Sequence, residues 1–166
     1  MALLNVNGDL SATDVNLTGN FNGNQPGFRV TLDTTRALQG QGTHLWNASN
    51  GLNGNFFTTV KFNNGNCFNT STSVFTTPVT GLYYWNQNMS TNSSAGAQSY
   101  TSCEYYVNGS RNGKFGWQEM AAGYQRWEGT DIILLNAGDL VTFGGEWSNS
   151  SCSFINQSHL MMYFLG

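Results

Sequence analysis

Residues 57–87, FTTVKFNNGNCFNTSTSVFTTPVTGLYYWNQ, set large apolar side chains among polar ones at short, regular intervals. Tyr83 and Trp85 stand two apart, the period of a strand with both rings on one face. TTPVTG before them predicts a turn, because Pro78 presets its own φ and Gly81 tolerates a positive one. NNGN at 63–66 predicts another. The stretch is expected to run strand, turn, strand, turn, strand, with one aromatic per strand pointing inward. Upstream, FRVTLD at 28–33 alternates with Phe28, Val30 and Leu32 on one side. The residues from Arg36 to Asn55 are loop-rich, an excursion between short strands. CEYYV followed by Asn108–Gly109 is a hairpin signal. IILL at 132–135 and LVTF at 140–143, joined by NAGD, predict two more strands. The chain closes on SHLMMYFLG, where Leu160, Met162 and Phe164 share one face and Met161, Tyr163 and Leu165 the other. A strand apolar on both faces must be buried on both, so its second face calls for a partner.

Residues 1–24 differ. Leu4, Val6, Leu10, Val15, Leu17 and Phe21 alternate with small or polar residues in two loose copies of one unit, VNGDL and NLTGNF. This spacing suits short strands with Gly and Asn at the turns, but it holds too few apolar residues to fold alone. NQPG at 24–27 marks the boundary. The expected organisation is an attachment segment over 1–25 and one domain over 26–166, long enough to bury a core without disulfides.

Charged residues make up 9 % of the chain, against about 25 % in ordinary globular chains, while aromatics reach 14 %. Asn, Gly, Ser and Thr supply most of the remainder, which suits an all-β protein with many turns. Nine acids and six bases leave a net charge of −3 and no basic patch, excluding a nucleic-acid footprint. No run approaches the roughly 20 apolar residues of a membrane-spanning helix, so no membrane insertion is expected. MALLNVNGD lacks the basic start and apolar length of a signal peptide, which predicts synthesis in a cytoplasm without export. Under that reading the eight N-x-S/T sequons, at Asn16, Asn47, Asn69, Asn88, Asn92, Asn108, Asn149 and Asn156, stay unmodified.

Candidate chemistry is sparse. Cys67, Cys103 and Cys152 form neither a CxxC pair nor an even set, so small buried thiols are the simplest reading, with a Cys103–Cys152 bridge the alternative. His44 and His159 have no partner spacing for a triad, and no catalytic residues are assigned. Asp131, Asp139 and Glu146 are scattered, one per strand end, which does not make the oxygen cage calcium needs; no metal and no cofactor are expected. Trp117, Tyr124, Arg126 and Trp127 form an aromatic cluster that reads either as a ligand face or as core.

The spacing of Phe57, Asn63, Phe68, Phe75, Gly81 and Tyr83 resembles the signature of the complement-type globular head, a branch of the tumour-necrosis-factor-like jelly rolls. Trp85 stands where that family carries Phe, and Gln87 where it carries an aromatic. The resemblance runs from about Phe28 to Gly166 and implies an all-β jelly-roll β-sandwich assembled as a homotrimer. It implies that the last strand lies near the three-fold axis, and makes Tyr83, Trp85, Leu160, Met161, Met162, Tyr163, Phe164 and Leu165 the expected trimer interface and core. The N-terminal segment resembles the shaft or attachment segments of trimeric viral fibres. Together these resemblances imply a non-enzymatic virion protein: a phage capsid decoration protein or head fibre docked through Leu4, Val6, Leu10, Val15, Leu17 and Phe21. The alternatives are a fibre tip that binds a host-surface glycan or protein, and a secreted signalling ligand, which the N-terminus opposes.

Overall fold

The structure is a computed structural model that describes residues 25–39, 42–46, 56–57, 59–93, 99–120, 123–147 and 151–166. The six proposed docking residues of the N-terminal segment lie outside them, and the side chains of Trp117 and Cys152 are not described. The strands in chain order are β1 (Gly27–Thr31), β2 (Arg36–Gln39), β3 (Gly42–Leu45), β4 (Thr59–Asn64), β5 (Phe68–Asn69), β6 (Val74–Thr76) and β7 (Gly81–Ser93). After these come β8 (Ser99–Val107), β9 (Ser110–Met120), β10 (Gly123–Leu135), β11 (Leu140–Trp147), β12 (Ser151–Phe154) and β13 (His159–Phe164). Among the described residues there is no helix.

All pairings are antiparallel and they build two sheets. In the first, β10 pairs with β7 along its whole length, β13 and β12 share the other edge of β7, and β1 then β4 follow β13. The second runs β5-β6-β11-β8-β9, with β3 added on β11. The expected two-residue hairpin joins β8 to β9, and Asn108 (φ 50°) and Gly109 (φ 83°) both take the left-handed backbone it demands. The expected strand at 132–135 is only the end of the much longer β10.

The stretch 57–87 departs from its expected form at one place. Its middle strand is two short ones, β5 and β6, folded on each other. The turn before β5 is held by Asn63, whose Nδ2 donates to the Phe68 carbonyl (2.8 Å) and whose Oδ1 accepts from the Phe68 amide (3.0 Å). The side chain makes both bonds a neighbouring strand would make, which gives the signature Asn its physical role. Gly81 has an equally direct reason: a Cβ there would lie 2.5 Å from the Phe164 ring and 2.6 Å from the Gly166 carbonyl.

The core lies between the sheets. From the first sheet come Phe28, Val30, Tyr83, Trp85, Met89, Leu160 and Met162, and from the second Phe68, Phe75, Tyr105, Val141 and Phe143, all buried. Phe28 stacks on Phe68 at 4.0 Å and meets Phe75 and Phe143 edgewise or tilted. A second group joins Trp46, Phe56, Phe154 and Trp127. Each such side chain stabilises by about 1.5–3 kcal/mol on full burial. Gln87, the departure from the family signature, also points inward and is fully buried; its Nε2 donates to the Gly144 carbonyl of the opposite sheet at 2.8 Å. Where an aromatic would have filled space, a hydrogen bond ties the two sheets together. Cys103 is a free thiol packed in the core, which removes the Cys103–Cys152 bridge; Cys67 is likewise free and buried. Burial pushes both thiols above the usual cysteine value, which keeps them protonated.

Candidate binding faces

Alternation divides the first sheet cleanly. Inward residues of β7, β13 and β10 fill the core, and their neighbours in sequence form the outer face. At one end of that face the ladder sets Leu134 beside Leu82, Ile132 beside Tyr84, and Tyr84 beside Tyr163. The Tyr84 and Tyr163 rings lie 5.1 Å apart. Leu82, Ile132, Leu134 and Leu165 are exposed, Leu134 by 70 %. A cluster of large apolar side chains at this exposure marks an interaction surface.

The expected interface residues therefore separate into two groups. Tyr83, Trp85, Leu160 and Met162 are sealed inside the sandwich, and Phe164, half-buried, turns its ring onto Tyr83. Only Met161, Tyr163 and Leu165 face outward, and Leu165 lies just past the last strand. Leu82, Tyr84, Ile132 and Leu134 were not singled out from the sequence. Their signal was there: IILL is apolar on both faces, as the closing strand is.

Further along, the outer face turns polar. Asn86 and Asn88 are almost fully buried beneath longer neighbours. Asn86 Nδ2 donates to the Glu128 carboxylate and to Thr130 Oγ1, leaving Oδ1 to accept. His159 Nε2 stands 3.1 Å from that oxygen, so the neutral ring carries its proton on Nε2. Desolvation, helped by the nearby Arg29 and Arg126 and opposed by Glu128, pushes the His159 pKa below its ordinary 6.5. The folded state then binds this proton less readily than the unfolded chain. The contribution is fully present above about pH 6.5 and is lost as pH falls from there through the lower folded-state pKa. Urea denaturation at pH 7 and pH 5 is expected to show lower stability at pH 5. His159→Gln, which keeps a donor, is expected to shrink that difference; an unchanged difference would place the acid sensitivity elsewhere.

The suspected aromatic ligand face does not hold together as one surface. Trp127 is an inward residue of β10, opposite Met89, with its ring against Phe154. Tyr124 and Arg126, on the same strand, point outward and are exposed. They border a groove of about 250 Å³ with Gln125, Ser90 and, across it, Ile155 and Gln157 of the turn between β12 and β13.

The second sheet carries charge on its outer face. Glu104 has no exposed side-chain surface, yet it sits among Lys114 (3.8 Å), Arg111 (3.5 Å), Ser102 Oγ (3.1 Å) and the Tyr106 hydroxyl, which donates to it. Glu146 completes the group with a 2.6 Å bond from Lys114. Two carboxylates and two cations balance, and burial, with the hydrogen bond to the Glu104 carboxylate behind it, keeps the Tyr106 phenol protonated. The acids weighed for calcium are apart: Asp131 accepts from the Tyr105 hydroxyl, and Asp139 caps its own turn by accepting from the Asn136 amide and Asn108. Among the described residues no three metal-ligating side chains converge.

A family model described as the C1q domain matches residues 43–165. The chain belongs to the C1q domain family. No curated protein matches it. Solved structures similar to it include the globular domain of zebrafish complement 1qA protein, at 15 % identity, covering 86 % of this chain and 98 % of that one with a TM-score of 0.52. Another is the Eiger TNF of S. frugiperda, at 9 % identity, 86 % and 93 % coverage and a TM-score of 0.56. Murine APRIL follows at 11 % identity, 84 % and 98 % coverage and 0.53. At such identities the likeness is one of fold, the two-sheet jelly roll expected from the signature. C1q and TNF-like domains are generally non-enzymatic binding or structural modules and commonly form homotrimers. In this C1q chain the signature positions Phe57, Phe68, Phe75 and Tyr83 are all buried, as a core-forming signature requires.

Proposed function

We propose that this C1q chain is a homotrimeric, non-enzymatic head, and that its N-terminal segment attaches the trimer to a viral particle as a decoration protein or head fibre. The observation that carries the reading is the apolar end of the outer face of the first sheet. Leu82, Tyr84, Ile132, Leu134, Tyr163 and Leu165 need cover, and three copies around one axis provide it in a closed assembly. Particle attachment is supported by the segment at 1–24, whose alternating apolar residues are too few to fold without a partner. Three such segments on one trimer gain avidity over one.

Sedimentation and particle binding test the two halves separately. The full chain is expected to sediment as a trimer at micromolar concentration. Ile132→Asp with Leu134→Asp is expected to give a folded monomer, since both side chains lie outside the core. A monomeric parent chain would overturn the assembly. Removal of residues 1–24 is expected to leave the trimer intact and to abolish co-sedimentation with viral shells lacking this protein. Equal binding by the shortened chain would remove the docking role.

A further inference from the structure

The groove bordered by Tyr124 and Arg126 lies on the outer face of the first sheet, but six to eight residues along β10 from Ile132. At about 3.3 Å per residue this is roughly 20–26 Å from the apolar end, so the groove is a separate place on the surface. Its floor is Ser90, which faces Arg126 across the ladder. Ser90 is 3 % exposed, and its Oγ has no hydrogen-bond partner among the described residues. A buried hydroxyl left without a partner costs stability that an incoming polar group can repair.

The walls are equally particular. Arg126 Nε donates to Asn88 Oδ1 at 2.7 Å, which fixes the plane of the guanidinium. Among the described residues Arg126 forms no ion pair, and Glu128, two positions along, is engaged by Asn86. The remaining guanidinium donors form a fork suited to a carboxylate. Tyr124, 73 % exposed, offers a flat aromatic face with a hydroxyl at its edge. Gln157 supplies an amide that both donates and accepts, and Ile155 a single aliphatic contact. A ring for stacking, an amide and a hydroxyl for hydroxyl groups, and one oriented cation for one acid together match a sugar that carries a carboxylate. The volume of about 250 Å³ suits about one sugar ring rather than a folded partner.

We infer that this groove is a binding site for an acidic saccharide, with Arg126 holding the carboxylate, Tyr124 stacking on the ring, and Ser90 and Gln157 reading hydroxyls. The inference does not depend on particle attachment or on the trimer.

Calorimetry or ligand-observed NMR on the full chain tests it, with 3′-sialyllactose and tri-galacturonate as acidic saccharides, lactose as the neutral one and hexaglutamate as an acidic peptide. At least one acidic saccharide is expected to bind at millimolar concentration or below, and about tenfold more tightly than lactose, as loss of one charge-assisted contact predicts. Arg126→Gln is expected to erase the preference for the acid, Arg126→Lys to keep part of it, and Tyr124→Ala to weaken every saccharide. Both side chains are exposed, so an unchanged circular dichroism spectrum and unfolding midpoint separate lost binding from lost fold. No binding by either acidic saccharide, equal affinity for lactose, equal or tighter binding of hexaglutamate, or unchanged binding by the variants would each overturn the assignment.

Discussion

Trp85→Ala is expected to destabilise the head by about 3–5 kcal/mol, the range for removing a large aromatic from a sealed core. Trp85 is fully buried at the centre of β7, 5.0 Å from the Tyr105 ring and 5.4 Å from Phe115, between the two sheets. Its Nε1 has no hydrogen-bond partner among the described residues, so the loss is one of packing and not of a polar contact. The cavity has little chance to close, because the ring is held from three strands. Gly129 shows how closely the site is fitted: a Cβ there would stand 2.5 Å from the Trp85 ring and 2.8 Å from the Cys103 side chain. Gly129→Ala alone is therefore expected to cost about 1–3 kcal/mol by overpacking. Joined to Trp85→Phe, which restores the smaller ring usual in the family, it is expected to cost less than the sum of the two single changes. Urea denaturation followed by far-ultraviolet circular dichroism measures all four chains. Strict additivity would mean that Trp85 and Gly129 do not fit against each other.

The second large effect is expected at Glu104, which no reading of the sequence picked out. Its carboxylate is sealed from solvent under Arg111, Lys114 and Tyr106 on the outer face of the second sheet. Glu104→Ala removes one member of a balanced group and leaves two cations facing Glu146 alone, with the Tyr106 hydroxyl stripped of its acceptor. Breaking a buried pair from one side costs about 3–5 kcal/mol. Because Arg111 is half-exposed and can turn to water, the lower end of that range is expected. Glu104→Gln, which keeps an acceptor for Tyr106 and Ser102, is expected to cost about half as much. Denaturation in low and moderate salt distinguishes this from a surface effect: the loss is expected to persist as salt rises, since a desolvated carboxylate is poorly screened. A Glu104→Ala chain as stable as the parent would show the network to be ornamental.

The two effects reside in different kinds of information. The place of Trp85 was legible in the chain, because Tyr83 and Trp85 stand two apart behind a turn that only Gly81 permits. The burial of Glu104 was not, because it needs β11, which carries Glu146, to lie against β8 beside the hairpin, and no spacing in the chain announces that pairing. The same holds for the outer face. The closing strand announced a second buried face through its unbroken apolar run, and IILL carried the same message unheeded. That these two runs flank β7 on opposite edges and so form one surface is a fact of sheet order. Trp127 shows the reverse error open to sequence reading. Clustered aromatics two or three apart on a strand look like one face, yet Tyr124 and Trp127 differ by an odd number and point to opposite sides.

By itself the sequence determined the all-β class, the strand phases, the hairpin at Asn108–Gly109, the turn at 63–66 and the family signature, since each rests on steric rules that act within a few residues. Tertiary structure alone decided which strands are neighbours. From that followed the inter-sheet bond of Gln87, the buried carboxylate of Glu104, the separation of core from outer face in the last strand, and the groove that brings Ser90, Arg126 and Gln157 together. Those features depend on which strands lie side by side, a choice whose energy comes from excluding water across the whole sandwich and leaves no local periodicity to read.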